Sequence, residues 1–357
     1  MIRIRVIALL AWIMLIQVPE ASAKKWDPVS KQKKVHHEYK VQDMDRLDVD
    51  NMYGKVHINT WDKNEVTVDI TVTAKARTDG EAQEVLDRID FVISGNEDGG
   101  HRISYKTILG NMRHNIQNSE MTIDYTINAP KRNALDITNK YGDVYLGDFM
   151  GKMRMDVSYG ALDLQNITGS GKKIKVAFGS ASVASIETGI FDISYSNLTI
   201  DKAIDIDVTN KFGNTDITSV QNLKVEQMYG SISVASVNQV SGMIDYANLE
   251  VDQLNKSADL ALKYCGKADF KSISDKADLL ELDAHYSSIF CHLAENSNMA
   301  IDISTSYSSV KRIGAGRALD IQNRDPDDNN GGRYMGKTGH GDGKLNIHAH
   351  YSNVEFK

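Results

Sequence analysis

Asp283, His285 and Ser287 have the residue types of an orienting acid, a base and a nucleophile, and they alternate at intervals of two. On a strand that interval spans about 7 Å, beyond the hydrogen-bond reach a catalytic triad requires, so they are read as exposed residues of one polar face. Ser308-Ser309-Val310-Lys311 has the Ser-x-x-Lys order of β-lactam-binding enzymes. That pairing needs a helical turn, whereas these residues follow Tyr307 on an expected strand. Gly169-Ser170-Gly171-Lys172-Lys173 has the outline of a phosphate loop, with Asn166 where the first Gly belongs and Lys173 in place of the closing Ser or Thr. His348 and His350 flank Ala349 and should share a strand face, with His340 on a loop nearby; no carboxylate stands at a fixed spacing from them, so no metal is assigned. Asp325, Asp327 and Asn329 alternate like the opening of a calcium loop, but Asn330 replaces its Gly and Gly336 its closing Glu. No catalytic, cofactor-binding or metal-binding residue follows from these patterns, and no cofactor.

The elements that would have to position such residues are legible in a repeat. An aromatic followed by a small residue recurs at Tyr53, Tyr141, Tyr159, Phe178, Tyr195, Phe212, Tyr229, Tyr246, Tyr264, Tyr286, Tyr307 and Tyr351. From Tyr141 the steps are 18, 19, 17, 17, 17, 17, 18, 22 and 21 residues, and the last, 44, equals two of the longer ones. Before each aromatic the alternation is that of a half-buried strand, as in Ile206, Val208 and Asn210 against Asp205, Asp207 and Thr209. After the small residue the phase slips by one, and apolar residues return at Val56 and Ile58, Leu198 and Ile200, Ile232 and Val234. A slip at Gly is what a bend between two strands produces. At about 3.3 Å per residue a 17-residue coil is roughly 56 Å around, too small to enclose a core alone, so coils must stack. Parallel stacking would align the aromatics in a ladder and the Leu, Ile and Val residues in continuous apolar columns. The expected fold is therefore all-β: a parallel β-helix or solenoid of about 12–13 coils of 17–22 residues. Outward positions such as Asp156, Lys175 and Asp192 put opposite charges on neighbouring coils, and a lipid-facing barrel would not carry Asp205, Asp207 and Lys211.

Two interruptions and two ends complete the organisation. Thr78-Asp79-Gly80-Glu81 is a capping box followed by Ala82, Val85, Leu86, Ile89 and Val92 at helical spacing, which predicts one amphipathic helix over 79–95 covering an end or flank. Residues 325–343, rich in Gly, Asp and Asn, read as a long loop before a closing coil. Residues 1–23 run from basic through apolar to Ala21-Ser22-Ala23, a signal peptide cleaved before Lys24, which predicts an exported protein with no membrane span in the mature chain. Residues 24–34 form a basic arm, and 35–357 a single domain. Removing the leader changes 41 basic and 48 acidic residues to 39 and 47, an acidic balance that argues against nucleic acid. Cys265 and Cys291 fall about 13 Å apart along the strands in this register, too far for a disulfide, and are expected to stay free.

Leu47-Asp-Val-Asp-Asn-Met-Tyr53-Gly54-Lys-Val56, Trp61-Asp62-Lys-Asn-Glu-Val66, the Tyr-Gly units and the Gly-rich segment before a final short strand resemble a bacterial β-strand-repeat domain of unknown function, the "putative adhesin" or head-GIN-like β-solenoid family. The resemblance covers Val35 to Lys357 and implies a right-handed parallel solenoid in the Gram-negative cell envelope, located in the periplasm, at the outer membrane or on the surface. It supplies no catalytic residues. Its implied function is a non-catalytic module binding an unknown protein or glycan through an exposed face. The alternatives are a polysaccharide lyase or hydrolase on a β-helix, or an accessory of envelope stress signalling.

Overall fold

The computed structural model describes residues 28–96, 100–110, 119–312, 320–323 and 330–356. The expected signal peptide, Lys24 to Asp27 of the expected basic arm, and the Asp325, Asp327 and Asn329 pattern lie outside the described residues. The described chain is all-β with one short helix, and its sheet is open and not a closed barrel.

Successive repeat units pair in parallel with like residues side by side. Arg46–Met52 pairs with Ala134–Lys140, which pairs with Met153–Ser158, which pairs with Lys172–Ala177. Beyond the bend, Val144–Leu146 pairs with Ala161–Ile167, and that strand with the first part of Ser180–Ser194. From Asn197 to Lys263 the chain stays extended and paired through three further bends without a break. This register brings Ile137, Met155, Ile174 and Phe191 into one fully buried column and Leu146, Leu164, Val183 and Ile200 into another. At about 25 cal/mol per Å² of apolar surface these columns are the main source of stability, since no single unit encloses a core. The outward charges pair across units as expected, with Lys175 3.9 Å from Asp156 and Lys224 3.6 Å from Asp207.

The ends depart from the parallel pattern. The expected basic arm is a strand from residue 29 onward: Val29–Lys40 pairs antiparallel with Glu65–Ala76, and that with Glu120–Pro130. Two of its lysines have partners, Lys31 on Asp79 at 2.7 Å and Lys33 on the Ile89 carbonyl. The helix is shorter than expected, Asp79–Asp87, although its capping box forms as read. Residues 89–94 are instead a strand antiparallel to Arg102–Leu109. Ile89 fits both a helical period of three and four and a strand period of two. The β-branched and aromatic run Ile89-Asp90-Phe91-Val92-Ile93 and an available partner strand decide for the sheet.

The C-terminal segment corrects two more expectations. Gly331–Lys337, read as part of a loop, is a strand antiparallel to Met299–Ser306. The segment Gly343–His350 does not close the stack at its end. It lies between Leu279–His285 and Met299–Ser306, parallel to both, so the step of 44 is a hairpin excursion and a return rather than two coils.

Candidate functional site

The bend is built by the aromatic residue itself. All twelve repeat aromatics have φ between 49° and 61°, a left-handed conformation costing roughly 1–2 kcal/mol for a residue with a Cβ. The phase slip in the sequence points to the small residue that follows as the site of the unusual backbone, whereas the structure has it at the aromatic in every unit. The following residue is small for a different reason: a Cβ added at Gly142 would lie 1.9 Å from the Gly54 carbonyl oxygen, and one at Gly160 2.0 Å from that of Gly142. The six aromatics followed by Gly have φ of 54–61°, and the six followed by Ser, Ala or Cys have 49–52°. Where Ser stands, its hydroxyl caps the bend. Ser287 Oγ donates to the His285 carbonyl and accepts from the Cys265 N–H, and Ser352 Oγ donates to the His350 carbonyl and accepts from the Ser287 N–H. At several Gly bends a buried amide does similar work: Asn139 Nδ2 donates to the Gly54 and Gly142 carbonyls, Gln227 Nε2 to that of Gly213.

The rings form one continuous ladder. From Tyr53 through Tyr141, Tyr159, Phe178, Tyr195, Phe212, Tyr229, Tyr246, Tyr264 and Tyr286 to Tyr351 and Tyr307, neighbouring centroids are 4.6–5.2 Å apart with planes within 22° of parallel. Tyr351 precedes Tyr307 because of the inserted C-terminal segment. Every ring is 38–53% exposed. Neighbours cover the ring faces, so the strip offers ring edges and, at ten of twelve positions, a phenol hydroxyl. At strand spacing it is roughly 50 Å long. Lys140 Nζ lies 4.9 Å from the Tyr141 centroid. Left-handed backbone is cheapest for Gly or Asn, yet all twelve units place an aromatic there, so the side chain and not the backbone decides the residue. Stacking returns about 0.5–1.5 kcal/mol per pair, of the same order as the backbone cost.

The other candidates fall as follows. Ser287 does not share a face with Asp283 and His285: the bend at Tyr286 turns it inward to 3% exposure, while His285 Nε2 stays outside, 3.4 Å from Asp283 Oδ1. Ser308 Oγ donates to the Ser306 and Ala349 carbonyls. Lys172 of the phosphate-loop outline is 2% exposed and donates to the Met150, Gly151 and Ser170 carbonyls, and burial lowers its pKa. It is an internal cap of a turn, which its neighbours Gly169 and Gly171 in sequence did not reveal. His340 lies in the turn before Gly343, at the opposite end of the strand from His348 and His350. A shallow groove of 710 Å³ crosses several units, lined among others by Ile190, Ile206, Leu223, Asp207 and Lys224. Cys265 and Cys291 are free and fully buried. Among the described residues no helix is long and apolar enough to cross a membrane.

No family model matches the chain, and no curated protein does. Similar solved structures include a "putative adhesin" from Bacteroides fragilis, 14% identical, covering 70% of this chain and 97% of that one at a TM-score of 0.33. A "putative adhesin" from Parabacteroides merdae is 8% identical, covering 91% and 96% at 0.30. A "putative lipid binding protein" from Parabacteroides distasonis is 14% identical, covering 70% and 96% at 0.25.

Proposed function

We propose that this chain is a non-catalytic module of the bacterial envelope or cell surface, exported by its leader, a single domain over 35–357 whose parallel repeat units wind as a right-handed β-solenoid between antiparallel ends. Its aromatic ladder is the face that meets a protein or glycan partner, in the manner of an adhesin. The observation that carries the reading is the unbroken row of twelve half-exposed rings. A contiguous strip of half-exposed aromatic rings of that length, amphipathic through its phenol hydroxyls, suits an interaction site, and its flat, regular shape suits a long partner better than a small molecule. The inward turn of Ser287 supports the non-catalytic half of the proposal by dissolving the one triad-like pattern.

The test is binding of the purified mature chain to isolated envelope fractions, compared with a Tyr195→Asn/Tyr229→Asn variant whose Asn residues tolerate the left-handed bend. With circular dichroism confirming the fold, the ladder variant should lose most of the binding, and Lys202→Ala, away from the ladder, should keep it. Protease or periodate treatment of the fraction then separates a protein from a glycan partner. Equal binding by wild type and the folded ladder variant would sink the proposal.

A further inference from the structure

The inserted strand Gly343–His350 creates a side-chain cluster that no interval within the sequence contains. Its register sets His348 beside Asp283 and His350 beside His285 on one neighbour, and the same two histidines beside Ser304 and Ser306 on the other. Asp283, His285 and His348 are 61%, 42% and 62% exposed at their side chains, so this corner is open to solvent. Because Ser304 and Ser306 are short, a hollow of 370 Å³ lies over it, lined by those serines with Asp283, His285, His348 and His350. The rings of His285 and His350 are 5.5 Å apart between centroids. His348 Nδ1 lies 2.7 Å from Ser304 Oγ, and its Nε2 3.7 Å from Glu281 Oε1.

We propose that His285, His348 and His350, with Asp283 as the fourth ligand, bind a divalent transition metal of the zinc class. Two histidines two residues apart on one strand and a third on the adjacent strand have backbones about 7 and 4.8 Å apart. Imidazoles projecting from such a triangle can bring their nitrogens to the roughly 2.0–2.1 Å that zinc requires. As the side chains stand, no three such groups among the described residues converge on one point. The hollow over the short serines gives the rings room to turn toward one another. The Ser304 hydroxyl beside His348 Nδ1 leaves Nε2 for the metal, as supporting hydrogen bonds do around metal-bound histidines. Three imidazoles and one carboxylate favour zinc, nickel or copper over magnesium or calcium.

Isothermal titration of the metal-free mature chain with zinc sulfate tests the site. One zinc should bind per chain, and His285→Ala and His350→Ala should each weaken binding at least tenfold. His36→Ala, which removes another exposed histidine with carboxylate neighbours, should change nothing, and neither calcium nor magnesium in excess should displace the zinc. The imidazole proton signals of all three histidines should shift together on zinc addition. These side chains point outward, and circular dichroism checks that each variant folds. Absence of zinc binding, or equal binding by the folded His285→Ala and His350→Ala variants, overturns the proposal. The ladder variant Tyr195→Asn/Tyr229→Asn should bind zinc normally, so this outcome is separate from that of the ladder reading.

Discussion

At each bend two adjacent residues carry opposite demands. The aromatic must accept a left-handed backbone, and the residue after it must leave space for the carbonyl of the preceding unit. Gly160→Ala places a methyl 2.0 Å from the Gly142 carbonyl oxygen, and the backbone there can yield only by disturbing the ladder. The expected cost is about 1–3 kcal/mol, as for other overpacked sites. Gly80→Ala meets nothing within 4 Å and lies in the helix, so it should be neutral or stabilise by up to about 1 kcal/mol. Urea unfolding midpoints of the two variants should therefore move in opposite directions or differ sharply. Similar losses from both would contradict the close approach at the bend.

At the scale of the strand, the alternation of side chains divides substitutions into two classes. Val208 is fully buried in a column of apolar residues, and Val208→Asp would place a charge there with no partner, a cost of several kcal/mol that a marginally stable fold does not absorb. Asp283 faces out, and in metal-free protein Asp283→Ala should change stability by only a few tenths of a kcal/mol. Circular dichroism and denaturant titration should show an unfolded Val208→Asp and a native Asp283→Ala. A well-folded Val208→Asp would mean that this column is not the core. The short helix and the antiparallel strands at both ends play another part, since they pair or cover strand edges that a parallel stack would otherwise leave open to further chains.

Across the whole molecule, burial of both thiols links stability to alkaline pH. Burial pushes the Cys265 thiol up to about 11 and the Cys291 thiol up to about 12, from an ordinary value of 9.0. Burial raises the Tyr105 and Tyr125 phenols as well. Above pH 9 the unfolded chain releases protons that the fold retains, so stability should fall as pH rises from about 9 to 11. The urea midpoint should be lower at pH 10.5 than at pH 8, and a Cys265→Ala/Cys291→Ala variant should show a smaller drop. Native thiols should react with a thiol reagent only as fast as the chain opens. A midpoint indifferent to alkali would contradict the burial of these groups.

Legible from the residues alone were the repeat, the inward Leu, Ile and Val columns, the aromatic ladder, the capping box at Thr78 and the separation of Cys265 from Cys291. The capping box is a four-residue motif, and the rest follow from periods of two and about seventeen residues that are local or repeat regularly. Tertiary structure decided what no local period encodes. Ile89 obeys two periods at once, and only the partner strand Arg102–Leu109 settles its state. Val29–Lys34 carries lysines that read as solvated, but pairing with Glu65–Ala76 sets Lys31 against Asp79 at the helix start and Lys33 against the Ile89 carbonyl. The face taken by Ser287 depends on the left-handed turn at Tyr286, which alternation alone does not contain. The cluster of Asp283, His285, His348 and His350 exists because a segment some 60 residues downstream enters the stack between two earlier strands, a pairing decided by edge and end effects and not by spacing along the chain.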